Sequence, residues 1–241
     1  MFKGPLLELF GLLFSSNRTN ADIVSVVLSF FSVLVIIFVI FPIREFARGF
    51  VAKKLGDDTP EHAGRLTLNP FAHIDPMGAL MMFLFRIGWS KHMPIDIRRC
   101  NKVKARTAVA LTSLAGPLAN ILLSYLLIII CKILIINMTN NVVLYITKGF
   151  AMTAQISVFL AVFNLIPIPP FDGFNILATV LPTKVVLIME KYQQVIYLAF
   201  FALLLFRVLD VPLGLASQGV MWLLDKASFF VPDGGFFSLL Y

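Results

Sequence analysis

Long apolar runs separated by short polar stretches dominate the chain, and their lengths predict helices that cross a bilayer. Ile23 to Ile43 holds no charged residue and matches the roughly 20 residues that the hydrocarbon core demands of a helix. Thr107 to Cys131 is a second charge-free run of spanning length, and Gly149 to Phe171 a third. Pro167, Pro169 and Pro170 must end that third helix early, because proline has no amide hydrogen to continue the ladder. Tyr192 to Phe206 and Val211 to Leu224 are shorter, and predict two further C-terminal spans, tilted or kinked, or re-entrant segments. Leu6 to Phe14 follows Pro5, contains Glu8 and is too short to span, so a retained interfacial helix is expected there. Met77 to Phe85 is half a span and is expected to dip into the membrane or pack on the other helices. Ahead of it, Arg65 to Asn69 alternates polar and apolar side chains, the period of a strand, and suggests a small β-hairpin after the first span.

The expectation is an all-α integral membrane protein with three core transmembrane helices. It divides into an N-terminal interfacial segment (1–22), a membrane core (23–180) and C-terminal membrane segments with a tail (181–241). Composition agrees. Of 241 residues, 59% are hydrophobic and 14% charged, with a mean hydropathy of +0.90, against about 45–50% and about 25% in soluble domains. A soluble fold is excluded, and 24 phenylalanines among aliphatic runs exclude disorder as well. Cys100 and Cys131 lie far apart without metal or redox spacing.

Net charge is +7, but 12 of the 20 basic residues fall between Arg44 and Arg106, between the first two spans. That bias is a topology signal and points to no nucleic-acid partner: it places the Arg44 to Arg106 segment in the cytoplasm. With the first span running inward, the second outward and the third inward, the ends of the first and third meet the same face. Arg44, Glu45 and Arg48 are thereby expected on the same side as Asp172.

Four segments carry candidate chemistry: Arg44-Glu-Phe-Ala-Arg48-Gly49 running on to Asp57; Gly64 to Pro70 with His73-Ile-Asp-Pro76; Ala115-Gly-Pro-Leu-Ala-Asn120; and Asn164 to Gly173. In this order on these spans the chain resembles the site-2 protease family of intramembrane zinc metallopeptidases, over roughly residues 23 to 180. In that family the first segment reads His-Glu-x-x-His, so that two imidazoles on one helix face hold zinc while the glutamate works on the bound water. The resemblance implies that Glu45 occupies the catalytic position, that Asp172 is the surviving metal-ligand position, and that Arg44 and Arg48 stand at the two histidine positions. It also implies that Asn120 and Asn164 help to hold a substrate backbone, while helix packing and satisfaction of the Pro-rich break are the alternative roles.

Guanidinium stays protonated and offers donors only, so Arg44 and Arg48 cannot ligate zinc. An arginine bridge to Asp172 is expected to replace the metal as a clamp between spans, with snorkelling of both arginines to the interface as the alternative. The sequence therefore favours a catalytically inactive pseudoprotease without a cofactor. Its expected partners are the lipid bilayer and a membrane-spanning peptide or protein. An active intramembrane zinc metalloprotease with altered ligands, for which His73 is the candidate substitute, is the alternative. No inverted repeat supports a transporter.

Overall fold

A computed structural model describes residues 5–14, 19–85, 88–136, 141–232 and 236. Helix α1 (Pro5–Leu13) precedes α2 (Asn20–Val35), which opens on a capping box. Thr19 Oγ1 donates to Asp22 Oδ2 at 2.6 Å and accepts from the Asp22 amide at 3.3 Å, satisfying donors that a helix start otherwise leaves open. A five-residue π-helical segment, Ile36–Ile40, joins α2 to α3 (Phe41–Lys54). Pro42 has no N–H to donate four residues back, and the wide π turn lies where that bond is missing. The rod continues well beyond the apolar run, so Arg44, Glu45 and Arg48 are helical.

After the short α4 (Thr59–His62) comes α5 (Pro76–Phe85). Val33, Ile37 and Phe41, one turn apart along the first rod, bury themselves against Met82 of α5. The second span is α6 (Ala105–Ile136) and the third α7 (Asn141–Asn164), ending as the prolines require. These two form the centre of the molecule. Leu127, Ile128 and Cys131 of α6 pack on Ala151, Ala154 and Val158 of α7, and small side chains let the backbones approach. Two hydroxyls cross the seam: Ser124 Oγ donates to the Ala154 carbonyl and Ser157 Oγ to the Asn120 carbonyl, each at 2.9 Å. Leu118, Leu122, Leu126 and Ile130 project from another face of α6 and are exposed, as a lipid-facing surface requires.

A loop carries the chain from α7 to α8 (Asp172–Ala178). Next come α9 (Thr183–Lys191) and α10 (Gln193–Leu205), bent by 67° at their junction, and α11 (Asp210–Ala227). By length and composition, three helices among the described residues can cross a membrane, or four if the bent α9–α10 pair crosses as one.

The β-hairpin expected at Arg65 to Asn69 does not form. Among the described residues the only extended pairing is an isolated antiparallel bridge between Ile74 and Ser90. Side chains outcompete the ladder. Thr67 Oγ1 accepts from the Asn69 amide and Asn69 Oδ1 from the Phe71 amide, each at 3.1 Å, turning the chain into a short 3-10 helix at Pro70–Ala72.

Candidate functional site

Helical spacing puts Arg44 and Arg48 on one face of α3 and Glu45 and Gly49 on the adjacent one. The two faces meet different neighbours. Arg44 Nη2 donates to Asp172 Oδ2 at 2.9 Å, and Arg48 Nη1 lies 3.4 Å from Asp172 Oδ1. The carboxylate is 3% exposed and the two arginine side chains 14% and 12%, so the cluster lies largely out of water. The expected Arg–Asp bridge is thus present, and the arginines do not snorkel outward.

Two glycines make this approach possible. A Cβ on Gly116 would lie 3.0 Å from Arg44 Cγ and 3.4 Å from Arg48 Cδ, so its absence lets both arginine stems lie along α6. A Cβ on Gly173 would overlap the Leu165 carbonyl, so only glycine lets the first turn of α8 fold back on the loop that presents Asp172. The Nε atoms of Arg44 and Arg48 are buried without a hydrogen-bond partner.

Glu45 is 1% exposed and turns to the segment Gly88 to Met93. Its Oε1 accepts from Ser90 Oγ at 3.0 Å and its Oε2 from the Met93 amide at 2.9 Å. Arg65 stands nearby and gives Nη2 to the Lys91 carbonyl at 2.7 Å. Burial pulls the Arg65 guanidinium below its ordinary pKa, opposed by the negative charge of Glu45. Ser90 and Met93 are site residues that sequence reasoning missed, since a loop serine and a main-chain amide carry no pattern to find, and Arg65 reads in the sequence only as part of an alternating segment.

His73 is fully buried, with Nε2 2.8 Å from the Thr67 carbonyl and Nδ1 without a partner. His62 and His92 are exposed. Asn120 is also fully buried: its carbonyl receives Ser157 at 2.9 Å and shares the Ser124 hydroxyl with the Ala154 carbonyl, while neither side-chain amide atom has a partner among the described residues. Asn164 Nδ2 donates back to the Leu160 carbonyl of its own helix at 2.6 Å. Further from the cluster, Asp57 accepts from the Asp96 amide at 2.8 Å, and Gly56 turns the chain there with a φ of 110°.

Zinc does not fit this donor set. The guanidinium groups lack a lone pair, and both oxygens of Asp172 and of Glu45 already face donors. Among the described residues no three His, Cys, Asp or Glu side chains converge as metal ligands would.

Three helices long and apolar enough to cross a bilayer, with a buried ionic cluster joining the first of them to α8, define a polytopic membrane protein with a polar site among its helices. Comparison with known proteins gives the family. Residues 132–207 match Peptidase family M50. The "Putative zinc metalloprotease YwhC" of Bacillus subtilis (strain 168) is 35% identical over 181 residues, covering 72% of this chain and 82% of that protein. The "Putative zinc metalloprotease Rip2" of Mycolicibacterium smegmatis is 30% identical over 140 residues, or 56% of this chain and 51% of that one. Rip2 of Mycobacterium tuberculosis (strain H37Rv) is 30% identical over 136 residues, half of its length. No solved structure matches. The chain belongs to peptidase family M50, the site-2 protease family.

Proposed function

We propose that this chain is a pseudoprotease of the site-2 protease family, one that binds membrane segments of partner proteins and does not cut them. The observation that carries this reading is the occupancy of Asp172. Its two oxygens face Arg44 at 2.9 Å and Arg48 at 3.4 Å, where by resemblance two histidines and an aspartate hold zinc. A fixed pair of cations repels a divalent ion, and without a metal-bound water Glu45 has nothing to deprotonate by the family's route. The carboxylate of Glu45 is also committed to Ser90 and Met93.

Binding survives the loss of the metal in this reading. Asn120, with its buried and unpartnered amide, is assigned to a substrate backbone, and Asn164 to the mouth of the Pro-rich break. The Arg44 to Arg106 segment faces the cytoplasm, which puts the Arg–Asp cluster at the cytoplasmic end of the spans. The competing reading, an active zinc metalloprotease with altered ligands, is favoured by the similarity to YwhC and Rip2, both named as zinc metalloproteases.

Elemental analysis of the purified protein separates the two. The native chain is expected to carry only trace zinc and the Arg44→His/Arg48→His double variant a stoichiometric amount. Stoichiometric zinc in the native chain, with chelator-sensitive peptide cleavage, would sink the pseudoprotease reading.

A further inference from the structure

Most of the hydrogen bonds that hold the segment from Gly88 to Met93 are to its main chain. The Lys91 amide donates to the His73 carbonyl at 2.9 Å, the Lys91 carbonyl accepts from Arg65 at 2.7 Å, and the Met93 amide donates to Glu45 at 2.9 Å. Among the described residues Ser90 adds the one side-chain hydrogen bond, its hydroxyl to the other Glu45 oxygen at 3.0 Å. The segment bends over the carboxylate as an arch, because an extended chain covers about 10 Å in three residues, far more than the separation of two carboxylate oxygens. Glycines seat it: a Cβ on Gly78 would overlap the Trp89 carbonyl, and one on Gly49 would come within 3.0 Å of the Met93 sulfur. Ser90 is 4% exposed and Met93 6% exposed, while Lys91 and His92 lie outside.

Three of these four contacts reach atoms that every peptide possesses. Glu45, Arg65 and the His73 carbonyl therefore form a receptor for an unwound segment of almost any sequence. Two side-chain preferences remain: a hydroxyl to meet Glu45 and, three residues later, an unbranched apolar side chain to lie on Gly49. We propose that the Gly88–Met93 arch is an internal occupant of a partner-binding site formed by Glu45, Arg65 and the His73 carbonyl, and that an unwound apolar segment carrying Ser or Thr three residues ahead of methionine binds by exchanging with it. This deepens, and rests on, the binding role proposed above. The arch competes at the high effective concentration of a tethered ligand, so the resting protein is closed to weak partners. Only a segment already free of its own helical hydrogen bonds offers the amides and carbonyl that the receptor needs.

The test uses the full-length protein in detergent and, as probe, a fluorescent peptide copying residues 88–94. Ser90→Ala removes one of the arch's hydrogen bonds and leaves the receptor intact. It is expected to tighten peptide binding about three- to tenfold, as one net hydrogen bond implies, whereas the same change in the peptide weakens it. A Gly49→Cys/Met93→Cys variant fastens the arch when oxidised, so peptide binding should vanish on oxidation and return with reductant in a single sample. Binding that ignores the lock overturns the arch while leaving a gripping function elsewhere on the molecule. No binding to the Ser90→Ala protein overturns the arch as well. The zinc content of the native chain judges the pseudoprotease reading independently.

Discussion

Replacing Asp172 by Asn keeps the shape of the side chain and removes the one carboxylate that faces both Arg44 and Arg48. Two guanidinium groups, 14% and 12% exposed, are then left one helical turn apart, offset only by the Glu45 carboxylate, which is turned to Ser90 and Met93. Breaking a buried ion pair from one side costs about 3–5 kcal/mol, and the residual exposure of the arginines argues for the lower end, about 3 kcal/mol. For a chain of this size each kcal/mol moves the midpoint by about 2–4 °C, so Asp172→Asn should melt roughly 6–12 °C below the native protein. Thermal unfolding in detergent, followed by Trp89 and Trp222 fluorescence, reads this directly. The control removes the charges together: Arg44→Met/Arg48→Met/Asp172→Leu should recover most of the loss, because a well-packed apolar replacement of a buried ionic cluster is often neutral. If Asp172→Asn melted within about 2 °C of the native protein, a cost below about 1 kcal/mol, the bridge would be decoration and the clamp argument would fail.

A second buried pair makes a parallel prediction far from the first. Lys132 and Asp225 are 2% and 3% exposed and 2.8 Å apart, joining α6 to the end of α11. Lys132→Met alone should destabilise by about 3 kcal/mol or more, and Lys132→Met/Asp225→Leu by much less, with limited proteolysis between α10 and α11 reporting release of α11. In the loop region, hydrogen bonds from Arg98 hold the Asp96 carboxyl below its ordinary value of 3.8, and Lys53 does the same for Glu61, whose ordinary value is 4.5. A depressed folded-state pKa stabilises fully above the unfolded value and less as pH falls through the folded one. Amide exchange around Asp96 and Glu61 should therefore be unchanged from pH 8 to 6 and quicken, relative to the intrinsic rate, only below about pH 4.

The three spans were legible because a charge-free run of bilayer length has one physical solution, a helix with its backbone satisfied internally. The Arg44–Arg48–Asp172 cluster was legible too, through helical spacing and the parity of three crossings. The strand misread at Arg65 to Asn69 shows the limit. Five alternating residues carry the right period, but Thr67 and Asn69 spend their side chains on local amides, a competition that periodicity does not register. The arch over Glu45 was invisible for a different reason: most of its contacts are to main-chain atoms, which every residue has. Helical spacing reaches as far as Arg48, but the further run to Lys54 was hidden by charge, since Lys53 and Lys54 read as the polar flank of a span even though the hydrogen-bond ladder runs on.

The π-helical turn at Ile36–Ile40, where the Phe41 amide reaches back to the Ile36 carbonyl, sets the azimuth of everything after it. Such a turn amounts to one surplus residue in a regular helix, and each residue of an α-helix rotates the following face by about 100°. Wound as α throughout, the same residues would carry every later side chain about 100° further, so that Ile43 would point where Arg44 does and both arginines would turn away from Asp172. The wide turn is thus the indexing step that aims this end of the rod, from within the long apolar run and without touching any of the residues it points.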